Sequence, residues 1–170
     1  MQRHSRRLVA ALAVVLAAGG FVTVALAASG DSANGHGTLD GNRQFSFSAR
    51  THADGTVTGN AVLRNPAFEV DGKAYQLQID ITCMKVVGNI AVFGGTTKRT
   101  NDEGLVDAVF FSVQDNGEPG DGVDRISRAF FWDDDPATTG DPQACVLTGP
   151  TDFPLEPIEH GNIQVRPALP

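Results

Sequence analysis

The sequence predicts an all-β fold: a single antiparallel meander barrel, with a β-sandwich as the alternative, stapled by one disulfide. Three observations carry this. From His36 to Val165 the chain is a succession of short runs in which apolar and polar residues alternate, the period of a half-buried strand. Turn residues separate these runs at hairpin spacing, at Ala53-Asp54-Gly55, Asp71-Gly72 and Gly88-Asn89. After the N-terminal segment no helix of three turns is visible. The near-sequential order of the strands and the interior glycines Gly59, Gly94 and Gly95, which suit curvature, favour the barrel.

The N-terminus reads as a targeting segment. Arg3, Arg6 and Arg7 precede an apolar run from Leu8 to Leu26, and Ala25-Leu26-Ala27 is an A-x-A cleavage site. The expected organisation is a signal peptide over 1–27, a polar leader over 28–35, an antiparallel β domain over 36–166 and a tail over 167–170. An uncleaved anchor is the alternative, because the apolar stretch is nearly long enough to span a bilayer. The polar Ser29-Gly30-Asp31-Ser32 after the site favours cleavage and a secreted or extracytoplasmic protein that is not held in a membrane.

In the domain, Gln44 to Arg50 alternates strictly, with Phe45, Phe47 and Ala49 on one face. Thr56 to Arg64 follows with Val57, Gly59, Ala61 and Leu63 inward, Gly59 suggesting a bulge or bend. Asn65-Pro66 should break that strand. The longest alternation places Tyr75, Leu77, Ile79, Ile81 and Cys83 together on the core face. Gly88-Asn89 makes a two-residue hairpin, and Gly94-Gly95 should end or kink the strand after it. Leu105 to Val113 is apolar on both faces, so it should be covered on both sides. Arg125 to Trp132 continues as a strand, with Arg128 among inward apolar residues. An arginine there calls for a bulge, a barrel mouth or a partner carboxylate. Segment 133–157 is rich in Pro and Asp and reads as an ordered loop pinned by Cys145. Gly161 to Val165 is the last strand.

Cys83 and Cys145 are the only cysteines. In an exported chain pairing is favoured. Closing a loop of about 60 residues stabilises by on the order of 4 kcal/mol in the chain-entropy picture. Two buried thiols, or half of a metal site, are the alternatives; without a C-x-x-C or a nearby His pair the latter is weak.

The charge balance excludes some partners. Removal of Arg3, Arg6 and Arg7 leaves 10 basic residues against 20 acidic ones, a net −10. Such a domain repels nucleic acid and anionic membrane surfaces, leaving a protein, a glycan or a small molecule as the expected ligand. No H-E-x-x-H, G-x-S-x-G or Walker loop is present, and His36, His52 and His160 are scattered in turn-like contexts. No catalytic residue is assigned, and the protein is expected not to be an enzyme. No cofactor is expected except calcium. The candidate is the acidic loop Asp115-Asn116-Gly117-Glu118-Pro119-Gly120-Asp121-Gly122-Val123-Asp124. Asp115, Glu118, Asp121 and Asp124 are hard oxygen donors that suit calcium. The spacing departs from an EF-hand, and the stretch also suits a hairpin connection with Asx turns at Asp115 and Asn116.

Two stretches carry a resemblance. The loop Asp115-Asn116-Gly117-Glu118-Pro119-Gly120 with Gly161-Asn162-Ile163-Gln164-Val165, and the Cys-then-Gly-Asn hairpin from Ile81 to Ala91, resemble the post-COAP-1 type domain of bacterial surface proteins. The likeness covers most of the chain after the signal and departs from that pattern over 133–157. It implies an all-β secreted module of a group without established enzymatic activity. The expected function is therefore a non-enzymatic exported binding or surface module. One alternative is a small-hydrophobic-ligand carrier whose barrel interior is lined by Phe45, Phe47, Leu77, Ile79 and Ile81. The other is an unrecognised extracellular hydrolase.

Overall fold

The computed structural model describes residues 30–105, 107–118, 123–132 and 140–169. The signal-peptide segment 1–27 lies outside the described residues. The described chain is all β, without an α-helix, and no helix in it is long and apolar enough to cross a membrane. The strands are β1 (Ser32–Leu39), β2 (Arg43–Thr51), β3 (Val57–Val70), β4 (Lys73–Val87) and β5 (Ile90–Thr100). They continue as β6 (Ala108–Gln114), β7 (Arg125–Ser127), β8 (Phe130–Phe131), β9 (Leu155–Pro157) and β10 (His160–Arg166).

They form one strongly curled antiparallel sheet, a half-barrel, in the order β10-β1-β2-β3-β4-β5-β6-β7-β9, with β8 also on β6. The path is a meander from β1 to β6, as the hairpin spacing predicts. The last strand returns to pair with the first, Gly35 opposite Ile163. The concave face is filled. Phe45, Phe47, Leu77, Ile79 and Ile81 lie in the main core cluster with Phe93, Phe111, Val113 and Ile163. Phe93 stacks on Phe111 with ring centroids 4.6 Å apart, and Phe47 leans on Phe93 at 5.3 Å. The side chains expected to line a carrier's interior are thus packed against one another as a core.

A second, smaller cluster lies on the convex side. Between Ile81 and Cys83 the β4–β5 register slips by one residue, Ile81 pairing with Gly95 and Cys83 with Gly94. This bulge reverses the facing of the side chains beyond it. Cys83 therefore leaves the main core, where strict alternation would place it, and is buried outside with Val92, Phe110, Ala144 and Cys145. There it forms the expected disulfide with Cys145, Cα–Cα 6.1 Å. The partner segment is a 3₁₀ turn, Pro142–Val146, capped by Asp141, whose Oδ1 accepts from the Gln143 N–H at 2.9 Å. Lys85 Nζ holds its other end, donating to the carbonyls of Val146 (3.0 Å) and Thr148 (2.9 Å). Gly94 does not end β5: a Cβ there would overlap the Pro142 carbonyl, so this glycine lets the turn lie against the sheet. β6 is covered on both faces as predicted, Phe111 and Val113 inside and Phe110 outside.

Other boundaries differ from the sequence reading. β1 starts at Ser32, inside the predicted polar leader, because its inward positions are Ala33 and Gly35, too small to show as an apolar alternation. β3 runs through Asn65-Pro66 to Val70. The register slips between Asn65 and Glu69, so Pro66, which has no N–H to donate, sits in a bulge. At Gly59 both registers are continuous; a Cβ there would crowd Ala49 and the Ser48 carbonyl, so close approach of β2 is its role. The predicted strand from Arg125 to Trp132 breaks into β7 and β8 at Arg128-Ala129, and β9 emerges from the Pro-rich segment.

Candidate functional site

The half-barrel leaves a seam between β10 and the β6–β7 side. β1 occupies one edge of β10, so the amides of Ile163 and Val165 face the seam without a partner strand. Carboxylates meet them. Asp124, only 5 % exposed, accepts from the Ile163 N–H at 2.7 Å through Oδ2 and from the Asn116 N–H at 2.8 Å through Oδ1. Asp115 accepts from the Val165 N–H at 2.9 Å through Oδ2 and from the Gly117 N–H at 3.0 Å through Oδ1. The Ile158 N–H adds a bond to the Asp124 carbonyl at 3.0 Å. Two side chains thus replace the carbonyls of a missing strand, satisfying buried donors that would otherwise be costly.

The four calcium candidates therefore separate. Asp115 and Asp124 are engaged by backbone amides, Glu118 is exposed, and Asp121 lies outside the described residues. Among the described residues no group of three His, Cys, Asp or Glu side chains is placed to hold a metal ion. The Asx turn expected at Asp115 is present in its bond to Gly117. Histidines 36 and 160 are exposed on the convex face, on neighbouring strands, and His52 pairs with the Thr58 hydroxyl at 2.7 Å.

At the end of the half-barrel where β1 turns into β2, charged side chains span the seam. Glu156 on β9 takes Arg43 of β2 on Oε2 and Arg128 on Oε1, the latter at 2.8 Å. Its carboxyl is held below the usual carboxylate range, chiefly by the hydrogen bond from Arg43, opposed by burial and helped further by Arg128. The interruption at Arg128 thus combines two expected features, a barrel mouth and a partner carboxylate. Arg43 also donates through Nε to the Asp40 carbonyl at 3.0 Å.

This mouth opens into a groove of about 540 Å³, within the usual range for small-molecule sites. Its apolar wall is made by Leu39, Leu63, Phe68, Tyr75, Leu105 and Phe131, and its charged groups are Asp40, Arg43, Arg64 and Arg128. The β3–β4 hairpin supplies the overhang: the bulge after Asn65 sets Phe68 edge-on to Tyr75, centroids 5.5 Å apart. The Tyr75 hydroxyl is buried and closes no hydrogen bond of normal geometry among the described residues. Burial pushes its pKa up, with neighbouring Thr100 tempering the effect. Ser127, the serine of the wall, is engaged: it accepts from the Ser112 N–H at 2.9 Å and donates to the Arg128 carbonyl at 2.8 Å.

Sequence reasoning flagged Arg128 but missed Arg43, Arg64 and Glu156. Arg43 and Glu156 are 113 residues apart, and their meeting depends on β10 returning to β1, which no local pattern encodes. No family model, curated protein or solved structure matches the chain. The class rests on fold and site alone: a disulfide-stapled antiparallel half-barrel with a side-chain-closed seam and an arginine-rimmed apolar mouth.

Proposed function

We propose that this chain is an exported β-module that acts by binding, with the mouth groove as its binding site and no chemistry of its own. The observation that carries this reading is the pairing of a packed core with an open apolar groove at one end of it. Among the described residues the ionisable side chains along the groove are Asp40, Arg43, Arg64, Tyr75 and Arg128, and its one serine is bonded on both sides. Arginines without a neighbouring nucleophile and base suit recognition better than hydrolysis. Export through a signal over 1–27 fits the disulfide, which belongs to oxidising compartments. A small-molecule carrier remains within this reading, with its ligand at the mouth instead of the barrel interior.

Chemical-shift mapping with a neutral apolar probe, decanol, tests it. Amides of 39–43, 63–68, 75 and 126–131 should shift together and saturate. Shifts spread over the polar convex face, or none that saturate, would remove the groove as the binding site.

A further inference from the structure

Resting on that reading, we infer that the groove selects a small organic monoanion with an apolar body, a carboxylate amphiphile, its acid group held at the rim by Arg64 and Arg128 and its body against Leu63, Phe68 and Leu105. Charge complementarity is the first ground. The domain is strongly acidic once its signal is removed, yet three arginines lie along one apolar groove where, among the described residues, Asp40 is the one lining carboxylate and Glu156 beside it engages Arg43 and Arg128. A random surface of this chain would present the opposite balance.

The second ground is unspent donor capacity. A guanidinium carries five N–H donors in a planar fork that matches a carboxylate. Arg43 and Arg128 converge on one carboxylate, Glu156. Arg43 is largely enclosed, but the Arg128 side chain is 71 % exposed and engages Glu156 through Nε, and among the described residues its terminal nitrogens have no other acceptor. Arg64 stands on the rim of the same groove and makes no ion pair among the described residues.

The third ground is the wall. Phe68 is a large exposed apolar residue, held over the groove by its contact with Tyr75. A polar anion such as phosphate would leave that surface in water; an amphiphile covers it. A cation would meet the arginines directly. The overall negative charge does not prevent entry, because at physiological ionic strength charges beyond about 8 Å are largely screened.

The test is calorimetric titration of the purified, disulfide-intact protein with decanoate, decanol and decyltrimethylammonium, each kept below its micelle concentration. Decanoate should bind one to one, at least tenfold tighter than decanol, with decyltrimethylammonium weakest. Arg64→Gln combined with Arg128→Gln should weaken decanoate at least tenfold and leave decanol unchanged. Leu105→Glu, outside the packed core, should weaken both. Equal binding of decanoate and decanol, both lost in Leu105→Glu, would overturn the anion selectivity and leave the groove as the site. Decanoate binding that ignores all three substitutions would place the site elsewhere and overturn the inference. No binding of any of the three would overturn both the inference and the groove reading. Far-ultraviolet circular dichroism and a cooperative thermal transition above the titration temperature check that the variants are folded.

Discussion

Asp124→Ala should open the seam of the half-barrel. The carboxylate is buried and accepts two backbone N–H groups, from Ile163 at 2.7 Å and Asn116 at 2.8 Å. Alanine leaves both donors without an acceptor. The Ile163 amide is buried, and an unsatisfied buried donor costs about 1–3 kcal/mol. The Asn116 amide is nearer solvent and can recover a bond to water, so its loss costs about 1 kcal/mol. The expected destabilisation is about 2–4 kcal/mol, a large share of the roughly 5–15 kcal/mol that holds a domain together. Asp124→Asn keeps one acceptor oxygen but turns an NH₂ towards the other amide, so it should recover only part of the loss. Urea unfolding of the disulfide-intact protein measures the change in midpoint at constant slope. Amide exchange gives the specific signature. In the native protein Ile163 and Val165 should be protected although no strand pairs with that edge. In the alanine variant Ile163 should lose roughly thirty- to several-hundred-fold of its protection, at tenfold per 1.4 kcal/mol. A cost under about 0.5 kcal/mol, the range of ordinary surface changes, with Ile163 still protected would refute the idea that carboxylates close the seam.

Four further outcomes are expected. Glu156 has a depressed pKa in the folded protein, so the stability it supplies is present above its ordinary value of 4.5 and is lost as pH falls through the lowered one. Glu156→Gln should therefore destabilise at neutral pH and flatten the acid limb of the stability–pH curve; an unchanged acid limb would count against the Arg43–Glu156–Arg128 bridge. Gly94→Ala sets a methyl against the Pro142 carbonyl and should cost about 1–3 kcal/mol, read as a lower thermal midpoint, whereas Gly104→Ala, which meets the Asp102 side chain at an ordinary 3.4 Å, should cost less than half as much. Thiol titration of the denatured, unreduced protein should find no free thiol, and Cys83→Ser with Cys145→Ser should lower stability by about 4 kcal/mol. Calcium should leave the melting temperature unchanged, because Asp115 and Asp124 already serve backbone amides. A rise with calcium that disappears in Asp121→Ala would reassign the loop as a cation site.

The fold class was legible because β2, β3 and β4 are bounded by local turns and show their period in their own residues. Phe45, Phe47 and Ala49 go inward as their alternation requires, and Gly88 takes the positive φ of 61° that the hairpin needs. Legibility failed where a tertiary contact set the geometry. Cys83 was read by extending the alternation of Ile79 and Ile81, and a one-residue bulge turned it to the other face. That bulge is needed because the disulfide partner sits on the convex side, information held some 60 residues later. Ser32 to Gly35 hid as a leader because an inward face of Ala33 and Gly35 lacks apolar contrast; small residues are required there, since a Cβ on Gly35 would press on Phe47 and Ile163.

The acidic loop shows why composition alone could not separate a cation site from a structural one. A calcium ion and an unpaired strand edge make the same demand, carboxylate oxygens on a backbone free to turn, and Asp with Gly meets both. What distinguishes them is what the oxygens face. Asp115 and Asp124 face the amides of Val165 and Ile163, two residues apart on the same edge of β10. That spacing is the two-residue repeat of a strand, so a carboxylate pair at this separation satisfies successive donors of one edge. The arrangement also accounts for a sheet that curls without closing by strand pairing. The seam between β10 and the β6–β7 side is bridged by the Asp115 and Asp124 carboxylates and the Ile158 amide, then at the mouth by Glu156 with its two arginines. A continuous ladder would have no need of those arginines. Closure by side chains places guanidinium groups at the mouth beside Leu63, Leu105 and Phe131, and the same bonds that finish the fold supply the polar rim of its groove.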